Sequence, residues 1–272
     1  MNQNFPQRVI LDGDILAYRA AFWADVEGID ELPYRIKKDI KDWTPKGVTE
    51  VIIAMSCPRT HNFRRMLWPV YKQHREDKQS PDCMSVAIES IFAAKNTTVR
   101  CVNNLEADDL MGILASEGDT ISVTVDKDLR QIPGWHWNPD KETEPTLVSE
   151  EDATRFFYQQ WMTGDTTDNI WGLWKVGPAK AKKFLDSTPK EEWDEKILEM
   201  YQEEDWAKRP EEKRPVEMYR KDFAMAQARC VRILRSGDYN KDNHEITLWS
   251  PQNHPFSNLL KLTTGEIHVQ SI

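Results

Sequence analysis

Two short apolar runs in this chain end directly on aspartates. Val9-Ile10-Leu11 runs into Asp12, and Ile121 to Val125 runs into Asp126. Runs of this length, rich in β-branched residues and bounded by turn signals, read as buried strands. Val51 to Met55 and Val99 to Val102 read the same way. Helical patterns cover Ile15 to Phe22, Met84 to Ala94 and Leu105 to Ala115, the last with Leu110, Ile113 and Leu114 at core spacing. Strands alternating with helices predict an α/β fold, a central and mostly parallel twisted sheet flanked by helices. Ligands of such sheets bind beyond the carboxyl ends of the strands, which puts Asp12 and Asp126 on the expected functional edge. Residues 25 to 47 are mixed and predict no single element. A polar loop follows Met55 through Asn62.

Beyond residue 149 the pattern turns helical. Ser149 with Asp152 forms a capping signal ahead of Ala153 to Met162. Pro178 suits the first position of a helix running through Leu185. Residues 187 to 215 are charged, hold three prolines and predict a mobile insertion. Glu217 to Leu234 reads as a long helix and Glu245 to Trp249 as a late strand, while the tail beyond Pro251 gives no clear pattern. The expected organisation is a core over 1–148, with a short helical arch at about 63–95, and a mostly helical region over 149–272 packed on it.

Nine carboxylates fall in four tight groups: Asp12 and Asp14; Glu106, Asp108 and Asp109; Asp126 and Asp128; Asp165 and Asp168. Taken singly, each group also fits a turn, a cap or a solvated helix face. Taken together, on this framework, they point to one shared metal site. Magnesium and manganese prefer hard oxygen ligands. Two such ions about 3.5–4 Å apart can hold a phosphodiester, generate a hydroxide and stabilise the leaving oxygen. Gathering acids without metal is costly, because like charges repel in a partly dry site.

The formal net charge of -9 argues against a protein that simply coats nucleic acid. The nine clustered acids alone carry that charge when ionised, so the remainder of the chain is near neutral and local clusters matter more. Tyr71-Lys72-Gln73-His74-Arg75 sets two cations three residues apart beside an aromatic ring. On a helix, Lys72 and Arg75 share a face and can draw a phosphate toward the metals, with Tyr71 placed to stack on a base. Arg64 and Arg65 are as well suited to the surface. Gly177, Pro178, Ala179 and Lys180 open a helix whose backbone N–H groups, except at the proline, suit a phosphate. Lys182 and Lys183 add charge there, and such contacts position DNA without reading its sequence. Trp161, Trp171 and Trp174 are read as core residues, and no histidine is assigned to metal. Cys57, Cys83, Cys101 and Cys230 are scattered, with no CxxC pair, as expected of thiols in a reducing cytosol. No signal pattern opens the chain and no run approaches about 18 apolar residues, so a cytoplasmic protein with no membrane contact is expected.

The chain resembles the 5′-to-3′ exonuclease and flap endonuclease superfamily, with its PIN-like core. That superfamily includes the N-terminal nuclease domain of bacterial DNA polymerase I. The likeness is greatest to the short 5′-to-3′ exonucleases of podovirus bacteriophages. It rests on ILDGDILAYR, NFRRMLWPVYKQHR, LEADDLMG, VTVDKDLRQIP, GDTTDNIWGLWKVGPAKA, QARCVRILRSGDYN and EITLW, together spanning about residues 8 to 250. The resemblance implies metal-site roles for Asp12, Glu106, Asp108, Asp109, Asp126, Asp128, Asp165 and Asp168, with Asp14 at a position that is often not acidic in the family. It implies that Lys72 and Arg75 are the cations at the base of a helical arch, and that Arg19 lies near the cut phosphate. Gly172 to Lys183 matches a helix-hairpin that grips duplex DNA and often holds a potassium ion. The implied activity is magnesium- or manganese-dependent hydrolysis, with two ions, near the 5′ ends, nicks or flaps of duplex DNA. RNase H-like removal of RNA primers from RNA–DNA hybrids accompanies it in the expectation, as does a monomer in the host cytoplasm, serving phage replication, recombination or host DNA breakdown. One position departs: the family often has an Asp just after the second strand, where this chain has Cys57. Two alternatives stand beside this reading. ILDGDILA also resembles the nucleophile loop of haloacid-dehalogenase-like phosphatases, which would make Asp12 a covalent nucleophile. A non-catalytic DNA-binding relative is the other.

Overall fold

The computed structural model describes residues 5–58, 61–76, 78–215 and 218–251, and the backbone of 261–263. Six strands form the main sheet: β1 (Arg8–Asp12), β2 (Glu50–Met55), β3 (Thr98–Cys101), β4 (Thr120–Val123), β5 (Gly134–Trp137) and β6 (Thr146–Val148). Their spatial order is β3-β2-β1-β4-β5-β6. The first five run parallel and β6 closes the edge antiparallel. The chain leaves β1 toward β2 and β3, then crosses to β4 and β5 on the other side. A crevice opens at such a reversal, at the carboxyl ends of the two diverging strands, and here those ends are Asp12 and the residues after Val123.

Nine helices are described: α1 (Gly13–Glu27), α2 (Leu32–Asp42), α3 (Phe63–Leu67), α4 (Met84–Phe92), α5 (Ala107–Ala115), α6 (Glu150–Thr163), α7 (Pro178–Ser187), α8 (Trp193–Glu203) and α9 (Arg220–Val231). A second, antiparallel sheet joins β7 (Tyr239–Asn240), β8 (Glu245–Thr247) and β9 (Lys261–Thr263). One face of the main sheet packs on α1, α2 and α4 through Leu16, Ala20, Ile36 and Ile91. The other face packs on α5 through Leu110, Met111 and Ile113, together with Ile233 and Leu234 after α9. A third cluster gathers α6 to α9 around Trp161, Tyr201 and Phe223, and it draws in Trp68 and Tyr71 from the segment after α3.

The five expected strands lie within a residue or two of where the apolar runs place them, while β5, β6, β7 and β9 are unanticipated. Four stretches differ from expectation. Residues 25 to 47 contain α2, whose Leu32, Ile36 and Ile40 carry a helical period among surrounding charges. The basic segment from Phe63 does not continue as one helix: α3 ends at Leu67, and Lys72 takes the left-handed conformation at φ 54° ahead of a 3-10 turn at Gln73–Arg75. Residues 187 to 215 are not a structureless insertion. They hold α8, whose Trp193, Ile197, Leu198 and Tyr201 are buried on one face. The long helix expected from Glu217 begins at Arg220, and Glu217 itself lies outside the described residues. The caps expected at Ser149 and Pro178 hold: Ser149 Oγ accepts from the Asp152 N–H at 3.0 Å, and Pro178 opens α7. Trp161 is fully buried, and Trp171 packs edge-on against Trp68 at 4.7 Å. All four cysteines are free thiols. No helix among the described residues is long and apolar enough to cross a membrane.

Gly112 lets α5 meet the chain after α9 backbone to backbone. A Cβ there would stand 2.3 Å from the Leu234 carbonyl oxygen and 2.6 Å from Ile233 Cγ2. Overpacking of this kind costs about 1–3 kcal/mol. Gly112→Ala should lower unfolding free energy by that amount in a urea titration, and an unchanged midpoint would contradict the close approach.

Candidate metal centre and its cationic rim

Asp12 caps α1. Its Oδ1 accepts from the Ile15 N–H at 3.1 Å, and its Oδ2 accepts from the Thr124 hydroxyl at 2.6 Å. Thr124 Oγ1 in turn accepts from the Asp126 N–H at 3.0 Å, which ties the ends of β1 and β4 together. Asp126 opens a 3-10 turn by accepting from the Asp128 N–H at 2.8 Å. Asp108 stands in the first turn of α5. Asp165 and Asp168 sit on a loop closed by paired backbone bonds between Asp165 and Ile170, both 2.8 Å. The four sequence groups thus reach one cleft of about 230 Å³, which eight of the nine acids line; Asp109 is the exception.

Mutual repulsion marks the cleft. Burial and the neighbouring Asp14 push the Asp12 carboxyl up to about 7. Burial, Asp126 and Asp165 push Asp128 up to about 8. Asp108 rises well above the ordinary carboxylate range through burial, Asp12 and Asp126. The donor set is entirely carboxylate oxygen, and Asp128 Oδ1 is buried with no hydrogen-bond partner. Both features fit hard divalent cations. Among the described residues no three of these acids already stand as a closed ligand cage, in keeping with like charges holding one another apart.

The opposite wall is cationic. Lys72 Nζ donates to Glu106 Oε1 at 2.5 Å and lies 3.4 Å from Asp168 Oδ2. Arg75 donates to Asp168 Oδ1 at 2.8 Å and to the Thr167 carbonyl at 3.0 Å. Lys72 and Arg75 therefore meet the cleft from a left-handed residue and a 3-10 turn, not from a shared helix face. Burial opposes the Lys72 ammonium, but Glu106 and Asp168 outweigh it and raise its pKa. Glu106 moves the other way: burial would raise it, yet Lys72 and Arg64 hold it down to about 2.

Tyr71 corrects one expectation. At 2% exposure it has no free face for a base. Its hydroxyl bridges Glu106 Oε2 at 2.7 Å and Asp168 Oδ2 at 3.0 Å. Asp109 corrects another. It is fully buried and takes a two-pronged ion pair from Arg64 at 2.6 and 2.7 Å, while also accepting from the N–H groups of Leu234 and Glu106. Arg64 is thus an interior residue that reaches Glu106 at 3.2 Å and the Cys230 and Arg232 carbonyls. Arg65 stays peripheral, paired with Glu76 at 2.6 Å. Arg19 pairs with Asp140 and lies 5.3 Å over the Trp43 ring, and it does not line the cleft. Asp14 Oδ1 accepts from the Ser56 N–H at 3.0 Å, so an acid from α1 stands at the end of β2, beside Cys57. The Cys57 thiol is pushed up to about 12 by burial and Cys101, far from a thiolate.

Gly177 caps α7, and Gly177, Pro178, Ala179 and Lys180 are all exposed there. Lys180 Nζ donates to the Lys175 carbonyl at 2.8 Å, Lys182 pairs with Asp186 at 2.8 Å, and Lys183 is exposed. The roles of Arg64, Tyr71 and Asp109 leave no signal in local spacing, since each depends on partners tens of residues away.

Two outcomes follow from these charges. The folded, metal-free protein binds more protons than its unfolded chain near Asp12 and Asp128, so stability is greatest below the ordinary carboxylate pKa and is lost as pH rises through about 7 and about 8. Glu106, held low, is silent in that range. Melting of the EDTA-treated protein should therefore fall from about pH 5 to about pH 8 and level off above that, and a divalent cation should remove most of that fall. The second outcome separates adjacent acids. Asp108→Asn should raise the metal-free melting temperature by relieving repulsion. Asp109→Asn should cost about 3–5 kcal/mol by stranding a buried guanidinium. Equal effects in denaturant titrations would refute the division.

Residues 7–152 match the family profile described as 5′-3′ exonuclease, N-terminal resolvase-like domain. The chain is 25% identical over 285 aligned residues to an exonuclease of Escherichia phage T7, covering 89% of this chain and 93% of that protein. It is 24% identical to an exodeoxyribonuclease of Enterobacteria phage T3, covering 90% and 93%. In structure it is similar to the 5′-exonuclease of phage T5, solved with divalent zinc bound, at a TM-score of 0.57 and 15% identity over 82% of this chain and 88% of that one. With the profile spanning more than half of its residues, the chain belongs to the 5′-3′ exonuclease family.

Proposed function

We propose that this 5′-3′ exonuclease hydrolyses duplex DNA from 5′ ends, nicks and flaps with two divalent ions of the magnesium or manganese type. The observation that carries this reading is the lining of one cleft by eight acids together with Lys72 and Arg75. Asp12, Asp108, Asp126, Asp128 and Asp165 would hold the ions, with Glu106, Asp168 and Asp14 completing the acidic surround. Bound there, such ions polarise the phosphodiester and lower the pKa of the attacking water.

The protein's own groups position the substrate and balance its charge. Lys72 stays protonated, since its acidic neighbours raise its pKa. Lys72 and Arg75 are paired with Glu106 and Asp168. With ions held by the neighbouring acids, Lys72 and Arg75 would stand at the cleft rim to receive the scissile phosphate. They stabilise the charge that grows on it and leave a 5′-phosphate product. Tyr71 holds Glu106 and Asp168 at a fixed separation. The N-terminus of α7 and Lys180, Lys182 and Lys183 grip the duplex backbone, with a potassium ion at the preceding turn. The same grip accepts an RNA–DNA hybrid, and the enzyme acts as a monomer in the host cytoplasm.

The phosphatase alternative fits the geometry poorly. A phosphatase centred on Asp12 gives no role to Glu106, Asp168 and the Lys72 and Arg75 side chains that line the same cleft. The non-catalytic alternative does not account for acids held together against their repulsion.

Asp126→Ala and Asp168→Ala should reduce hydrolysis far more than DNA binding. Lys72→Ala should slow single-turnover cleavage by roughly 10²–10³-fold. Unchanged turnover in all three would sink the assignment. A magnesium-dependent digest of 5′-labelled blunt, nicked, flapped and RNA-primed duplexes, with products sized, tests the substrate range. Loss of label as mononucleotides is expected from blunt ends, and products released from the 3′ side would contradict the polarity.

A further inference from the structure

The turn that joins the acidic loop to α7 has few backbone bonds, Leu173 N–H to the Met162 carbonyl at 2.8 Å and Val176 N–H to the Leu173 carbonyl at 3.2 Å. Gly172 adopts φ 59°, and a Cβ there would stand 2.3 Å from the backbone nitrogen of Gly164. Gly164 immediately precedes Asp165, so the turn is pressed against the root of the acidic loop. Downstream it leads through Lys175, also left-handed at φ 59°, into the Gly177 cap of α7. Buried backbone groups in such a turn need partners outside any regular ladder.

Three side chains remote in sequence supply them. Arg209 donates to the Gly172 carbonyl at 2.7 Å, and the same guanidinium forks onto Glu204 at 2.6 and 2.7 Å. Glu204 Oε1 accepts from the Trp174 N–H at 3.1 Å. Gln227 Oε1, from α9, accepts from the N–H groups of Trp171 at 2.7 Å and Gly172 at 3.1 Å. Arg209 is 1% exposed and Gln227 fully buried. Arg209 also lies over the Phe223 ring at 5.0 Å, and Arg214 holds the Arg209 carbonyl at 3.0 Å.

We propose that the Arg209–Glu204 pair, with Gln227 opposite, positions the nucleic-acid grip: it sets the Trp171–Trp174 turn so that α7 presents its N-terminus and lysines to the duplex. This rests on the reading of α7 as the duplex-gripping element. A buried ion pair is a poor source of stability compared with well-packed apolar groups. Its use here is geometric, because the planar guanidinium takes both Glu204 oxygens and the Gly172 carbonyl in fixed directions, which a lysine's compact ammonium does not impose. The segment that carries Arg209 thereby acquires a role: α8 and the turns after it are the scaffold behind the grip.

The test compares Arg209→Lys and Gln227→Met with the triple variant Lys180→Ala, Lys182→Ala, Lys183→Ala. Binding of a 5′-phosphorylated blunt duplex is measured across a salt series with calcium as the divalent ion, alongside kcat at saturating duplex and melting temperature. Both cradle variants should raise Kd about tenfold and flatten the dependence of log Kd on log salt by about 1 to 2. Their kcat should stay within about twofold of the native enzyme, because saturating duplex offsets weaker positioning. Native binding and salt slope in the cradle variants, with both altered in the triple variant, overturn the inference alone. Native behaviour in the triple variant overturns the reading on which it rests. A fall in melting temperature with Kd and kcat worsening together at an unchanged salt slope assigns Arg209 a merely structural role and overturns the inference too. Should Arg209→Lys fail to fold, Gln227→Met decides by the same readouts.

Discussion

Repulsion among carboxylates is the constraint that organises this molecule. Asp12, Asp108 and Asp128 all have raised pKa values because the fold forces them into a half-dry cleft together. Holding them there requires rigid mounts: a strand end that doubles as a helix cap for Asp12, a helix start for Asp108, a 3-10 turn for Asp128. It also requires compensation from one side only. Lys72 and Arg75 neutralise Glu106 and Asp168 at the rim, and Arg64 backs Glu106 from the interior. The remaining acids are left uncompensated, an arrangement that a bound divalent cation would relieve.

Much of this was legible in the chain. Short apolar runs ending on Asp12 and Asp126 placed two acids at the sheet's functional edge, and the observed order around β1 places them at the crossover. The same residues carried the family likeness, so physical pattern and motif agreed. Asp109 shows the limit. In sequence it is indistinguishable from Asp108, its neighbour on the same helix turn. One turns to the cleft and the other to Arg64, and only the partner contributed by a segment 45 residues away decides which. Tyr71 is similar: an aromatic beside cations reads as a stacking residue until its hydroxyl is seen to bridge two acids.

Two other misreadings come from local rules overridden by tertiary contacts. Lys72 was expected on a helix face, but its left-handed backbone turns the chain back, with its N–H bonded to the Asp168 carbonyl at 2.9 Å. Residues 187 to 215 scan as polar and proline-rich, yet Trp193, Ile197, Leu198 and Tyr201 form one apolar face. Charge density hid a period that four residues carry, and the same charged stretch holds Arg209, a fully buried guanidinium of a kind that is rare.

Trp68 and Tyr71 bear on how divisible the protein is. Both belong by sequence to the half that holds the sheet, and both are interior members of the cluster built by α6 to α9. Trp68 donates its ring N–H to the Asn169 carbonyl at 2.9 Å and packs on Trp171 and Phe223. A fragment cut after the sheet would carry these two rings bare, and a fragment of the helical half would lack the rings that complete its interior. These two rings tie the sheet and the helices into one shared interior, so a cut between the halves would expose both.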